Sequence, residues 1–275
     1  MKHADHYAVF GNPIKHSKSP RIHNLFAEQT RQNLIYEAIL AQPDAFAAAI
    51  ADFRTAGGRG CNVTVPFKED AWQLAEQRSE RAELAGAVNT LRFDESGLCF
   101  GDNTDGVGLV RDISENHGWQ LSGKKILILG AGGAVRGVLA PLLDSAPATL
   151  SIANRTVSKA ERLATLYPNA DIQATGYEGL TGQCFDIIIN GTSAGLQGKL
   201  PPLPDGLLAA NGLAYDMVYA NEPTVFVQWA TAQGGHGVDG LGMLVEQAAE
   251  SFYLWRGVRP ETQAVIAELA KARIK

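Results

Sequence analysis

At 275 residues and 45% hydrophobic composition, the chain is long enough to bury roughly three quarters of its unfolded surface, in one large domain or two medium ones. A formal charge of -5 without a dense Lys/Arg cluster excludes a general nucleic-acid binder, which must neutralise a run of phosphates. The expected partner is a small molecule.

Cys61, Cys99 and Cys184 are odd in number, far apart and without CxxC spacing, so reduced thiols are expected rather than a disulfide framework. MKHADHYAVFG lacks the apolar core of a signal peptide, and no window approaches the roughly 20 apolar residues that span a bilayer. A soluble, cytoplasmic chain with no membrane partner is expected. His16 and His23 have no carboxylate or cysteine at ligand spacing, so no metal site is expected.

In chain order, strand-like and helical runs alternate: HYAVFG then PRIHNLFAEQT, LIYEAIL then DAFAAAIADFRTAG, GCNVTV then a single helix KEDAWQLAEQRS. This βαβ pattern predicts a mostly parallel, helix-covered sheet. VNTLRF and LCFG, joined by DESG, predict a hairpin that closes the first series. GDNTDGVG is punctuation, and the helix GVGLVRDISENHGW leads to a second series: KKILILG, TLSIAN, DIQAT, FDIIING, LAYDMV and GHGVD. Two amphipathic helices, LGMLVEQAAESFYLWRG and PETQAVIAELAKARIK, follow. Two α/β domains are expected, and a cleft between them is the default place for a ligand.

KKILILGAGGAVRG runs an apolar strand into a glycine turn and a helix. Backbone without Cβ at Gly130, Gly132 and Gly133, in the turn that also holds Ala131 and Ala134, would let helix N-terminal amides approach a pyrophosphate. Val135 occupies the third glycine place of GxGxxG, the one that serves helix packing. About twenty residues on, an acidic strand tip would indicate NAD. The second strand instead ends in Asn154, Arg155 and Thr156, with Lys159 one turn further. A guanidinium there suits a 2′-phosphate, and NADP is the predicted cofactor; alone, Arg155 also reads as a solvated surface arginine.

In GNPIKHSKSPRIHN, Ser19 is the expected N-cap and Pro20 the first helical residue, so the free amides of the helix start and the hydroxyls of Ser17 and Ser19 together could hold an anion such as a carboxylate. Lys68 stands at the start of a helix, where the macrodipole disfavours a cation. Asp105 is the other half of a candidate pair, since a lysine beside an aspartate can hold a proton against a carbonyl or alkoxide oxygen during hydride transfer. Taken singly, Lys68 reads as a surface lysine and Asp105 as a helix cap.

GNPIKHSKSP, NVTVPFKE, GAVNT, GDNTDG, GAGGA, NRT, NGTSAG, DMVY and GLGMLVEQA, in this order, resemble the shikimate dehydrogenase family over essentially the whole chain. The resemblance implies NADPH-dependent, reversible reduction of 3-dehydroshikimate to shikimate, in chorismate and aromatic amino acid biosynthesis. It implies Lys68 and Asp105 as catalytic residues, and Ser17, Ser19, Thr64, Asn89, Asp105, Tyr219 and Gln247 toward the substrate. Toward NADP(H) it implies the GAGGA turn, Asn154 to Lys159, Met217, Gly240 and Glu80, although a glutamate on a helix is more often solvated.

The implied architecture is a substrate domain with a mostly parallel mixed sheet, residues 1–103 plus 241–275, and a Rossmann-like NADP domain, residues 104–240, in a monomer or homodimer. Ser17, Ser19 and Arg155 place the chain nearer the shikimate-specific, NADP-using members. A quinate/shikimate enzyme with relaxed cofactor use is the alternative. A non-catalytic NADP sensor would have lost Lys68 or Asp105.

Overall fold

The first sheet begins with β1 (Asp5–Gly11), whose inner residues Tyr7 to Phe10 are all buried. The computed structural model describes residues 3–192, 194 and 198–273. The chain divides into two units, Met1–Gly108 with Val245–Glu268 and Leu109–Leu244 with Leu269–Lys275.

In the first unit, α1 (Ser19–Thr30), β2 (Leu34–Leu40), α2 (Phe46–Thr55) and β3 (Gly58–Val63) follow β1 as the alternating pattern predicts. After α3 (Lys68–Leu74) come β4 (Gln77–Arg78), α4 (Glu80–Ala85), and the antiparallel pair β5 (Thr90–Phe93) and β6 (Cys99–Asp102). The order β2-β1-β3-β5-β6-β4 has β1, β2 and β3 parallel and β5 antiparallel to β3. The expected mixed sheet is present. Its apolar face packs Phe10, Ile50, Phe67, Val88 and Leu91 into one core, each fully buried side chain contributing about 1.5–3 kcal/mol.

Two local expectations are corrected. KEDAWQLAEQRS is not one helix: α3 stops when Ala75 turns extended, because Glu76 N donates to Cys99 O and Ser79 N to Gly101 O. Sheet pairing with β6 therefore overrides the helical pattern, and Ser79 caps α4 by accepting from Ala82 N. Ser19 is not the N-cap of α1 but its first residue, with Lys18 at the cap. Ser17 Oγ accepts from Ser19 N at 3.3 Å, so the helix opens one residue earlier.

The second unit begins within α5 (Asp105–Arg111), which runs into a π-turn over Asp112–Asn116. Its strands are β7 (Lys125–Leu129), β8 (Thr149–Ala153), β9 (Ile172–Thr175), β10 (Phe185–Asn190), β11 (Leu208–Asp216) and β12 (His236–Asp239). Between them lie α6 (Gly133–Asp144), α7 (Val157–Ala164) and α8 (Val225–Ala232). All pairings are parallel, and the order β12-β11-β10-β7-β8-β9 is that of a doubly wound dinucleotide-binding sheet. β11 starts at Leu208, ahead of the LAYDMV run that marked it in the sequence.

α9 (Leu241–Arg256) and α10 (Gln263–Lys271) are the two expected C-terminal helices. α9 from Val245 onward belongs to the first unit. There Trp255 Nε1 donates to Leu91 O at 2.9 Å. Gly60 makes that approach possible, since a Cβ on it would sit 2.6 Å from Trp255 Nε1. Beyond α10, Arg273 pairs with Asp239 in the second unit. No described helix is long and apolar enough to cross a membrane.

Candidate functional site

In the first unit the chemistry gathers at one end of the sheet. Parallel β1 and β3 end there, and antiparallel β5 begins there with Thr90 opposite both Asn62 and Asp102. The loop after β1 delivers Ser17 and Ser19, the loop after β3 delivers Thr64 and Lys68, and the loop after β6 delivers Asp105. Crevices beyond carboxyl strand ends are where open α/β sheets bind ligands.

Lys68 Nζ donates to Asp105 Oδ2 at 2.5 Å, with both side chains partly exposed. The other carboxylate oxygen, Oδ1, accepts from Asn89 Nδ2 at 2.8 Å. Asn89 Nδ2 also lies 3.3 Å from Gln247 Oε1 on α9, and Asn89 Oδ1 accepts from Thr104 N at 3.0 Å. Four of the expected residues, Lys68, Asn89, Asp105 and Gln247, thus form one connected group. Asp105 N donates to Asn103 Oδ1, which fixes the loop carrying the carboxylate.

Thr64 is half-buried beside Gly11, where a Cβ would lie 2.5 Å from Thr64 Cγ2. Ser17 is half-buried and Ser19 buried. Glu80, expected toward the cofactor, is exposed in the first turn of α4 in the first unit.

Beneath this surface lies a polar layer that the sequence pattern did not single out. Asn62 Nδ2 reaches Thr90 Oγ1 at 3.1 Å and Ser251 Oγ at 2.9 Å. Asn62 Oδ1 accepts from Tyr36 OH at 2.7 Å and faces His23 Nε2 at 3.1 Å. Burial holds His23 down at about 3, despite its hydrogen bond to Asn62, so the imidazole is neutral. The available signal was an asparagine in NVTVPF at an inward-facing strand position, where a buried amide needs partners.

In the second unit, Gly130 has φ +105, a conformation that L side chains rarely adopt, and its N–H donates to Ala153 O. A Cβ on Gly130 would meet Gly191 O at 3.2 Å, because β7 and β10 are neighbours at the switch point of the sheet. Gly132 and Gly133 differ: nothing lies within 4 Å of a Cβ on either. Ala134 is exposed with them and Val135 is buried. The first amides of a 12-residue helix thus open onto free space, a fit for the pyrophosphate of a dinucleotide.

At the tip of β8, Asn154 N donates to Thr175 O, and Asn154 Nδ2 to Thr156 O at 2.8 Å. Arg155, Thr156 and Lys159 are exposed. No acidic residue stands at this tip, so the donor set fits an anionic ribose substituent.

Met217 N donates to Asn190 O, its Sδ lies 3.2 Å from a Cβ placed on Gly191, and a Cβ on Gly240 would lie 2.8 Å from the Met217 carbonyl carbon. Asp216 is buried, accepting from Thr224 Oγ1 at 2.6 Å and Asn190 Nδ2 at 3.0 Å. Burial raises its pKa more than those hydrogen bonds lower it. Tyr219 carries the Arg273 guanidinium 5.9 Å from its ring centre. Of NGTSAG, Ser193 and Gly195 lie outside the described residues.

A doubly wound unit with an open glycine turn, and an α/β unit with a lysine–aspartate pair at its strand ends, define the class as a dinucleotide-dependent oxidoreductase. Residues 9–91 match the shikimate dehydrogenase substrate binding domain, 112–197 the shikimate / quinate 5-dehydrogenase family, and 240–270 the shikimate 5′-dehydrogenase C-terminal domain. The shikimate dehydrogenase (NADP(+)) of Chromohalobacter salexigens is 64% identical over 262 residues, covering 95% of this chain and 96% of that protein. The chain belongs to the shikimate dehydrogenase family.

Two solved structures are similar throughout. The crystal structure of an Ael1 enzyme from Pseudomonas putida is 50% identical with a TM-score of 0.92, covering 97% of this chain and 98% of that one. Shikimate 5-dehydrogenase from Thermus thermophilus, in complex with NADP(H) and shikimate, is 33% identical with a TM-score of 0.87, covering 98% and 99%.

Proposed function

We propose that the chain catalyses the reversible, NADPH-dependent reduction of 3-dehydroshikimate to shikimate. The observation that carries this reading is the 2.5 Å contact of Lys68 Nζ with Asp105 Oδ2, at the strand ends where Ser17, Ser19 and Thr64 also emerge. NADPH, when bound, supplies the hydride. Asp105 fixes the position of the lysine, and Lys68 hydrogen-bonds the ring carbonyl oxygen and gives it a proton as the carbon is reduced. In the reverse direction Lys68 accepts that proton. Ser17 and Ser19 take the substrate carboxylate through their hydroxyls. Thr64, Asn89 and Gln247 are neutral groups that donate and accept toward ring hydroxyls, and Tyr219 keeps its expected substrate role.

The turn from Gly130 to Ala134 is assigned to the pyrophosphate, and Asn154, Arg155, Thr156 and Lys159 to the 2′-phosphate. Met217, Gly240 and Glu80 keep their expected cofactor roles. The domain roles follow: the first unit for substrate, the second for NADP(H).

The test is the initial rate of reduced-nicotinamide formation with shikimate or quinate, each with NADP or NAD. Turnover confined to shikimate with NADP supports the reading. Comparable rates with quinate or NAD would favour the dual-specificity alternative, and no rate with any pair would leave a binding protein.

A further inference from the structure

Asn89 meets the Lys68–Asp105 pair with a side-chain amide, and an amide has two ends of opposite character. Only its NH₂ end can satisfy Asp105 Oδ1; turned over, it would set a carbonyl oxygen against a carboxylate. Something must therefore fix which way Asn89 points.

The hydrogen bonds beneath it run in one direction. Tyr36 donates from its hydroxyl to Asn62 Oδ1, so that oxygen is the acceptor end of its amide, and the neutral His23 that faces it at 3.1 Å then carries its proton on Nε2. Asn62 Nδ2 then faces Thr90 Oγ1, Ser251 Oγ and the Asn89 carbonyl at 3.1, 2.9 and 3.2 Å. Thr90 Oγ1 has only one proton. It receives from Asn62, its 2.7 Å contact with Ser251 Oγ draws on the serine proton that Ser251 shares with the Gln247 carbonyl at 3.0 Å, and its 2.8 Å contact with Asn89 Oδ1 is with a pure acceptor. That last contact is attractive only if Thr90 donates. The side chains of His23, Tyr36, Asn62, Asn89, Thr90 and Ser251 are all buried among the first unit's own elements, Thr90 and Ser251 at 0% exposure, and so shielded from bulk solvent.

We infer that Thr90 is a positioning residue for the reaction: its hydroxyl, oriented by Asn62 and Ser251, holds Asn89 with its NH₂ toward Asp105 and thereby sets the geometry of the Lys68–Asp105 pair. This assignment rests on the dehydrogenase reading above. Thr104 N, which also donates to Asn89 Oδ1, shares the task, so the expected effect of losing Thr90 is moderate.

The experiment compares wild type, Thr90→Val, Thr90→Ser, Asn89→Ala and the Thr90→Val/Asn89→Ala double variant, with shikimate and NADP, by kcat, KM and thermal unfolding. Thr90→Val leaves Asn62 Nδ2 two acceptors, Ser251 Oγ and the Asn89 carbonyl, so the fold survives; Thr90→Ala, which cannot overpack, is judged by the same criteria if it does not. Loss of one orienting hydrogen bond should lower kcat about fivefold, with KM for NADP unchanged. Thr90→Ser should restore kcat to within about twofold, and Thr90→Val should cost nothing further in the Asn89→Ala background.

The assignment is overturned by a Thr90→Val kcat within about twofold of wild type, by Thr90→Ser as impaired as Thr90→Val, or by an undiminished loss in the Asn89→Ala background. A wild type inactive with every substrate and cofactor pair overturns the dehydrogenase reading, and this assignment with it.

Discussion

Asp105 divides its carboxylate between two donors, Lys68 Nζ on Oδ2 at 2.5 Å and Asn89 Nδ2 on Oδ1 at 2.8 Å. The lysine therefore meets a carboxylate already held from its other side. Replacing Lys68 with alanine removes the proton donor and leaves Asn89 in place. Turnover should fall by roughly 10²- to 10⁴-fold, with the unfolding midpoint close to that of wild type because the side chain is partly exposed. A variant within a factor of about three of wild type turnover would remove Lys68 from the chemistry.

The glycines of the turn divide by what surrounds them. Gly132→Ala adds a methyl to open space at a φ of -92, so stability should be unchanged while KM for NADP rises roughly tenfold or more, since that space is where a pyrophosphate approaches. Gly130→Ala forces a side chain onto φ +105 and toward Gly191 O, and should cost about 1–3 kcal/mol of stability. Thermal melts beside cofactor titrations separate the two effects. A destabilised Gly132→Ala with unaltered cofactor binding would refute the assignment of the turn.

Arg155 stands exposed at the tip of β8, where a charge-assisted hydrogen bond is worth about 1.5–3 kcal/mol. Arg155→Ser should reduce the preference for NADP over NAD by roughly ten- to a hundredfold, through KM for NADP, with little change for NAD. An unchanged ratio of kcat/KM values would assign the 2′-phosphate to other donors.

His23 couples acidity to folding. Its folded pKa of about 3 lies below the unfolded value of about 6.5, so below that value the unfolded chain binds a proton that the folded chain refuses. Stability from this group is complete above about pH 6.5 and is lost as pH falls toward 3, by at most about 1.4 kcal/mol per pH unit. Urea unfolding between pH 6.5 and 5, above the carboxylate range, should show this slope in wild type and a flatter one in His23→Gln. Parallel slopes would mean that the imidazole is protonated in the fold.

The alternation of β1, β2 and β3 with helices was legible because each strand is apolar on its buried side and each helix begins after a break. The nucleotide turn was legible because its glycines are local. What stayed hidden depends on partners distant in sequence. The run KEDAWQLAEQRS is helical in pattern, and only the open edge of β6 draws Gln77 and Arg78 out of it. Asn62, Thr90 and Ser251 are ordinary residues until β3, β5 and α9 bring them within 3.1 Å of one another. Lys68 and Asp105 were each ambiguous alone, and the fold joins them because β3 and β6 both run beside β5.

The first unit takes Gln247, Ser251 and Trp255 from a segment that begins at Val245. A ribosome makes the chain in order, so the sheet of the first unit emerges early and waits while more than a hundred residues of the other unit are synthesised. During that interval Leu91 O and Asn62 lack the tryptophan and serine partners they have in the finished protein. The unit begun first is thus completed after most of the second has been translated, and a nascent chain stalled before α9 would carry Lys68 and Asp105 without the helix that steadies them.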